Sequence, residues 1–255
     1  MISGVKVVLG RDVRTFFTNF YGVGFRTLVV VLETVIFAFI LSNAVPPGAV
    51  GRLTYLQFFA LGSLVVSIFW ASYNIGRDVY WDRESGYLNY LMSLPISRSE
   101  IIAGRSLGGS FRGILTALPL YVLAAILVPT TALNILESLG VLFVFALGLC
   151  GLGIMVSLSV REETRARLLN TFLSLVLIRS STAIYPVVAM PVWLQVGARL
   201  NPVTYASDSI RSVTVYSQGS SVPVLDITIV LIFAALAGTI GSWLFSKMIE
   251  GGPTE

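Results

Sequence analysis

Apolar runs separated by short polar punctuation occupy most of the chain. Six of them, at 27–45, 55–75, 106–128, 135–160, 168–182 and 224–245, predict membrane spans, because a helix of about 20 apolar residues crosses a bilayer core about 30 Å thick. Helix-breaking residues mark several ends: Pro46-Pro47-Gly48 closes the first run and Pro129 the third. Ahead of the first run, residues 1–25 place Val5, Val8, Leu9, Val13, Phe16 and Phe20 on one helical face and Lys6, Arg11 and Arg14 away from it. That pattern predicts an amphipathic helix at the membrane interface. A secretory leader is the competing pattern, but its apolar core would be the overlong run after Arg26, with no small-residue cleavage site behind it. The expected fold is all-α: one polytopic transmembrane domain over residues 1–255, with six spans.

Between the second and third runs lies the densest charge in the chain. Residues 77–105 hold four arginines, two aspartates and two glutamates, with Tyr87, Tyr90, Leu91 and Leu94 at helical spacing. Ser85 is expected to cap a short helix over 85–94, and Pro95 to stop it. Ser97 and Glu100, three apart, form a capping box for a second helix that continues into the third span. The plainer alternative is a helix lying on lipid head groups. Residues 183–222, between the fifth and sixth runs, are less regular. Pro186 and Pro191 interrupt any helix there, Trp193 suits an interface, and Asn201-Pro202 opens a helix with Val203, Ala206, Ile210 and Val213 on its apolar face.

Composition agrees with a membrane protein: 55% of residues are hydrophobic and 12% charged, against about 25% charged in soluble domains. Lys and Arg also set the orientation. With both termini on one side, that side carries eleven of them, at 6, 11, 14, 77, 83, 98, 105, 161, 165, 167 and 247, and the other side three, Arg52, Arg199 and Arg211. Both termini and the 77–105 stretch are therefore expected in the cytoplasm of a cell-membrane protein. The basic residues are spread between spans and form no single patch, so no nucleic-acid partner is implied.

The chemistry available is narrow. There is no histidine, Cys150 is the one cysteine, and no P-loop surrounds Lys6 or Lys247. Zinc sites, Ser-His triads, disulfides and nucleotide hydrolysis by this chain alone are thereby excluded, and neither a metal nor a catalytic residue is expected. Glu33 is an ionisable residue inside the first span, where a charge costs about 2.5–3.5 kcal/mol on insertion scales; it is a candidate for substrate contact or for bonding a neighbouring helix. Arg112 is expected to reach the interface by snorkelling. Small residues at packing intervals (Gly104 with Gly108, Gly109 with Gly113, and Ala234, Gly238 and Ser242) predict close helix approach, within one subunit or between two.

Two motifs resemble a known family. Glu84-x-Gly86, Leu88 to Leu94-Pro95-x-Ser97-Arg98 and Gly104-Arg105 look like the cytoplasmic loop of ABC-2-type transporter permeases. Pro186-x-x-x-Met190-Pro191-x-Trp193-Leu194, then Leu200-Asn201-Pro202-x-x-Tyr205-x-x-Asp208-x-x-Arg211, is similar to that family's segment between the last two spans. The resemblance implies the membrane subunit of an ATP-driven exporter. It would work as a dimer with a second copy or a similar subunit, and would bind separate cytoplasmic ATP-binding subunits that carry ATP and Mg. No cofactor is implied in this chain. It makes Glu84, Gly86, Leu88, Leu91, Leu94, Pro95 and Arg98 the coupling-helix contacts, and the 183–222 segment a set of re-entrant helices on the outer side. Glu33, Trp193 and Tyr205 become candidates for the substrate pathway, which aromatics line in polysaccharide exporters of this type. The chain reads Arg179-Ser180-Ser181-Thr182 where the family often has a Ser-Gly pair, so the end of the fifth span is expected to differ in shape. An ion-coupled secondary transporter is the alternative that Glu33 leaves open.

Overall fold

A computed structural model describes residues 4–18, 20–42, 45, 48–160, 162–216 and 224–250. The expected stop at Pro46-Pro47, Arg161 of the basic link and the 217–222 end of the irregular segment lie outside the described residues. Every regular element among the described residues is helical: α1 (Gly4–Thr18), α2 (Phe20–Ser42), α3 (Tyr55–Tyr73), α4 (Ile75–Glu84), α5 (Tyr87–Ser93), α6 (Arg98–Leu127), α7 (Ala132–Leu158), α8 (Glu163–Arg179), α9 (Val192–Leu200), α10 (Pro202–Arg211) and α11 (Val224–Glu250). A 3-10 turn, Val187–Ala189, precedes α9, and a π turn, Ser212–Tyr216, follows α10.

Among the described residues, four helical stretches are long and apolar enough to cross a membrane: Tyr55–Glu84, Arg98–Leu127, Ala132–Leu158 and Val224–Lys247. The first of these joins α3 and α4 into one 30-residue rod. Asn74 at the joint keeps right-handed helical geometry and donates its side-chain amide to the Trp70 carbonyl at 2.5 Å, so the chain does not turn. The rod is about 45 Å long and carries the start of the charged stretch with it. The first and fifth expected spans are helical but shorter in their apolar parts. Thr27–Ser42 is the apolar portion of α2. Of the 17 residues of α8, the first five include Glu163, Arg165 and Arg167. Six spans are therefore not established by length and composition.

The main core forms where α3, α6 and α7 meet. Phe69, Leu64, Ile68, Leu120, Phe145, Leu142 and Leu149 are all at most 1% exposed there, and α10 adds Val203, Ala206 and Ile210. A second, smaller core sits at the end of the bundle that bears the charged stretch. It joins Val8 of α1, Ile75 and Val79 of α4, Leu88 and Leu91 of α5, Ile101 and Ile102 of α6, Ile154 of α7 and Phe245 of α11. Small residues let these helices touch within one chain. A Cβ on Gly104 would meet Val8 Cβ at 2.8 Å, one on Gly108 would meet Asp12, and one on Gly151 would meet the backbone of Ala237 and Gly238.

The structure rotates α1 relative to the expected face. Gly4, Val8, Asp12 and Phe16 are its buried positions, an i, i+4 stripe against α6 that includes an acid, while Val5, Leu9 and Val13 are half-buried. α1 is thus packed on the bundle along one whole side. Residues 20–26 are helical with α2 and form a separate element from α1.

Candidate functional site

The charged stretch is helical almost throughout. After α4 the chain turns at Ser85-Gly86, where Gly86 takes φ 73°, a left-handed geometry that glycine adopts without a Cβ clash. This corrects the expected cap. Ser85 closes α4, its hydroxyl donating back to the Asp82 carbonyl at 3.4 Å, and α5 begins at Tyr87 with no side-chain cap. The helix then breaks at Leu94-Pro95, and the expected capping box follows: Ser97 N–H donates to Glu100 Oε2 at 2.9 Å, and Glu100 N–H donates to Ser97 Oγ at 3.3 Å. Glu100 Oε1 also accepts from Gly4 N–H at 3.2 Å, so one carboxylate caps both α6 and α1.

The seven expected contact residues separate into two groups. Leu88 and Leu91, 4% and 1% exposed, point into the small core and fasten α5 to the bundle; Leu94 is half-buried against the same cluster. Leu88 and Leu91 thus offer a partner almost no surface. Glu84, Pro95 and Arg98 are exposed and Gly86 forms the turn. Tyr90, expected on the apolar face, is 57% exposed and stands outside with Met92. The register differs because the turn is made by Gly86, which starts α5 one residue later than a Ser85 cap would.

Behind α5 lies an ionic cluster that local patterning does not reveal. Arg105 of α6, 3% exposed, donates from Nη1 to Asp12 Oδ1 of α1 at 2.8 Å and pairs through Nη2 with Asp82 of α4. Arg11 reaches both Asp82 oxygens at 3.2 Å and lies 4.3 Å from the centre of the Tyr87 ring of α5. Buried charges persist only when paired and hydrogen-bonded, and here the pairing joins α1, α4, α5 and α6. Arg112 reaches toward this end too, where it pairs with Asp78 at 2.8 Å and donates to the Ala71 carbonyl at 3.1 Å. Two grooves flank the α3–α4 rod at this end. One, of about 610 Å3, lies on the α1 side beside Arg11 and Arg112; the other, of about 470 Å3, lies on the α8 side.

At the opposite end Asn201 Oδ1 accepts from Val203 N–H at 2.9 Å, the expected cap, and its amide donates to the Leu177 carbonyl of α8 at 2.6 Å. Arg211 is 5% exposed; it donates to Asp208 at 3.1 Å and to the carbonyls of Phe58 and Ala183 at 3.2 and 3.1 Å, with its guanidinium 3.5 Å from the Phe58 ring centre. The divergent 179–182 stretch is tied in as well, Thr182 Oγ1 donating to Asp208 at 2.9 Å. The three pathway candidates are not brought together. Glu33 is exposed on α2 between Leu32 and Ile36, and Trp193 is 74% exposed on α9. Tyr205 donates to the Arg199 carbonyl at 2.5 Å. Neither groove at the charged end is lined by any of them.

A bundle of long apolar helices closed at one end by an ionic cluster and a short amphipathic helix defines the class: a multi-pass membrane protein. Within that class the chain belongs to the ABC-2 type transporter family, whose model matches residues 4–215. This domain is a non-catalytic transmembrane permease subunit, typically without a cofactor. Among curated relatives, the candidate transport permease ycf38 of Cyanophora paradoxa is 32% identical over 164 residues, covering 62% of this chain and 55% of the relative. Its counterpart in Porphyra purpurea is 32% identical over 165 residues, with the same coverage. The matched stretch spans about half the length of these relatives.

Proposed function

We propose that this chain is the membrane half of an ATP-driven exporter, in which two copies enclose the substrate path and each binds a separate ATP-binding subunit through α5. The observation that carries the reading is the construction of α5. Leu88 and Leu91 fix it to the rods formed by α3–α4 and α6, while Glu84, Tyr90, Met92, Pro95 and Arg98 face outward at the charged end. A helix built in this way passes a displacement on its outer face to two spans at once, as rigid-body alternation requires. The excess of Lys and Arg on the α5 side favours a cytoplasmic location for that face and for both termini.

The second copy is supported by α2. Its exposed face places Glu33 among Leu32, Ile36 and Phe37, which are 45–54% exposed. A carboxylate on such a face is costly against hydrocarbon, and a facing subunit or a polar pathway relieves that cost. The outer re-entrant segment is supported by α10, whose Val203, Ala206 and Ile210 are fully buried in the main core.

The test is co-purification. With the ATP-binding subunit expressed alongside, the double substitution Tyr90→Asp and Met92→Asp is expected to lose it while leaving the permease intact in gel filtration. Full retention of the ATPase by that variant, with transport unchanged, sinks the assignment of α5.

A further inference from the structure

The rod and α8 face each other across the groove of about 470 Å3 without meeting. Its walls are the end of the α3–α4 rod, the last turn of α7 and the first half of α8, among them Tyr73, Tyr80, Ser157, Ala166 and Asn170. Tyr73 is 3% exposed, and its buried hydroxyl has no hydrogen-bond partner among the described residues. Asn170, on the opposite wall, leaves its buried Oδ1 unpartnered as well. Buried polar atoms without partners are rare and costly. A neutral phenol donates and an amide oxygen accepts, so these two orphans are complementary.

The wall formed by the rod is fixed. A Cβ on Gly76 would overlap the Gly153 carbonyl of α7, and one on Gly153 would overlap the Tyr73 carbonyl, so the two backbones are in contact. Further along, Asp78 and Asp82 tie the rod to Arg112 and Arg105. The two ends of α8 differ. At its outer end Ile178 is 4% exposed in the main core, and the Asn201 amide donates to the Leu177 carbonyl and to Ser180 Oγ at 2.6 and 3.0 Å. Its inner half turns Ala166, Asn170 and Ser174 to the groove, side chains too short to fill it. There Asn170 donates to Ser157 Oγ of α7 at 3.4 Å, longer than the usual range of about 2.7–3.2 Å. Leu168, Phe172 and Leu175 on the far face are 55–66% exposed, so among the described residues little backs α8 from behind.

We infer that α8 is a strap hinged at its Asn201 bonds, whose inner half swings in to close the groove and let the Tyr73 hydroxyl donate to Asn170 Oδ1. The arrangement seen is the open one. Closing exchanges the long Asn170–Ser157 bond for a pairing that satisfies both orphans, while the outer end of α8 keeps its partners. Hinge closure between two discrete packings is a common way for helices to switch. The strap gives the charged end a movable wall beside the rigid rods. It goes beyond the exporter reading, because it concerns this chain alone.

The experiment measures a distance across the mouth of the groove. The full chain carries Cys150→Ala and spin labels on Glu84→Cys and Arg165→Cys, two exposed positions outside the groove lining. It is reconstituted in phosphatidylcholine nanodiscs for double electron–electron resonance. Two distance populations are expected, the shorter being the closed groove. Tyr73→Phe, which removes one oxygen and leaves the ring packing, should lower the ratio of short to long about fivefold, the worth of one hydrogen bond. Asn170→Leu should lower it too, and in its presence Tyr73→Phe should have no further effect. Tyr90→Phe, on the exposed face of α5, should leave the ratio unchanged. A single distance in the labelled chain overturns the strap, the groove then being a fixed cleft. Two populations whose ratio ignores Tyr73→Phe, or on which the two substitutions act additively, overturn the pairing of Tyr73 with Asn170. No ATPase is present in this measurement, so it and the co-purification test can each fail alone.

Discussion

Asp12 and Arg105 show how one residue pair can decide the arrangement of several helices. Both are buried, 5% and 3% exposed, and they join α1 to α6 across 93 residues of sequence. Removing one partner leaves the other with a single remaining contact, Arg105 with Asp82 or Asp12 with Arg11. That costs less than a wholly unpaired buried charge, about 3–5 kcal/mol, whereas replacing both with apolar residues is often close to neutral. Asp12→Leu is therefore expected to lower thermal stability in detergent markedly, and Arg105→Met to do the same. The double variant should recover most of the loss, because Asp82 and Arg11 still pair with each other and no charge is left alone. Additive losses in the double variant would show that the pair is not the source of the coupling. Nothing in the sequence identified Asp12. It occupies the i, i+4 stripe of Gly4, Val8 and Phe16, but an acid on an amphipathic helix ordinarily faces water, and its cation is far away in the chain. The pairing of Arg112 with Asp78 is unreadable for the same reason, since Asp78 lies in another helix.

At the scale of elements, what proved legible was chemistry completed within three or four residues. The Ser97–Glu100 box and the Asn201-Pro202 cap are both present, because a cap needs only its own first turn. The long apolar helices were legible too, since length and composition specify them. The rotation of α5 was not. It depends on Gly86 entering left-handed geometry and on Leu88 and Leu91 joining the small core, which is a tertiary choice. The shortness of α8 was hidden likewise, because a hydropathy run does not report where charged residues join the same helix. Asn201 gives a test at this scale: its side chain caps α10 and also satisfies the Leu177 carbonyl at the end of α8. Asn201→Ala should cost about 1–2 kcal/mol. It should also raise hydrogen exchange at the first amides of α10 and the last turn of α8 together; exchange confined to α10 would show that the two helices are not linked through this residue.

The molecule as a whole has two kinds of attachment at its charged end, and they predict separable defects. The outward face of α5 is suited to hold a partner, while the ionic cluster and small core tie α5, α1 and the two rods into one body. A lesion in the second should leave partner binding intact and reduce only the transmission of movement. Gly104 is the position for it. A Cβ there already meets Val8 Cβ at 2.8 Å and the Val5 carbonyl at 3.2 Å, so Gly104→Leu must push α1 away from α6 and draw Asp12 from Arg105. Overpacking of this kind costs about 1–3 kcal/mol, which a body with cores at both ends can absorb. The ATP-binding subunit should then co-purify with this variant as it does with the unmodified chain, while ATP-driven transport in proteoliposomes falls. Gly10→Leu, on the same α1 but with nothing within 4 Å of its Cβ position, is the matched control and should transport normally. If Gly104→Leu transports as well as Gly10→Leu, α1 is a passenger on the bundle; if it loses the ATPase, the packed and outward faces of α5 are not independent, and the division of labour between Leu88 and Tyr90 fails with them.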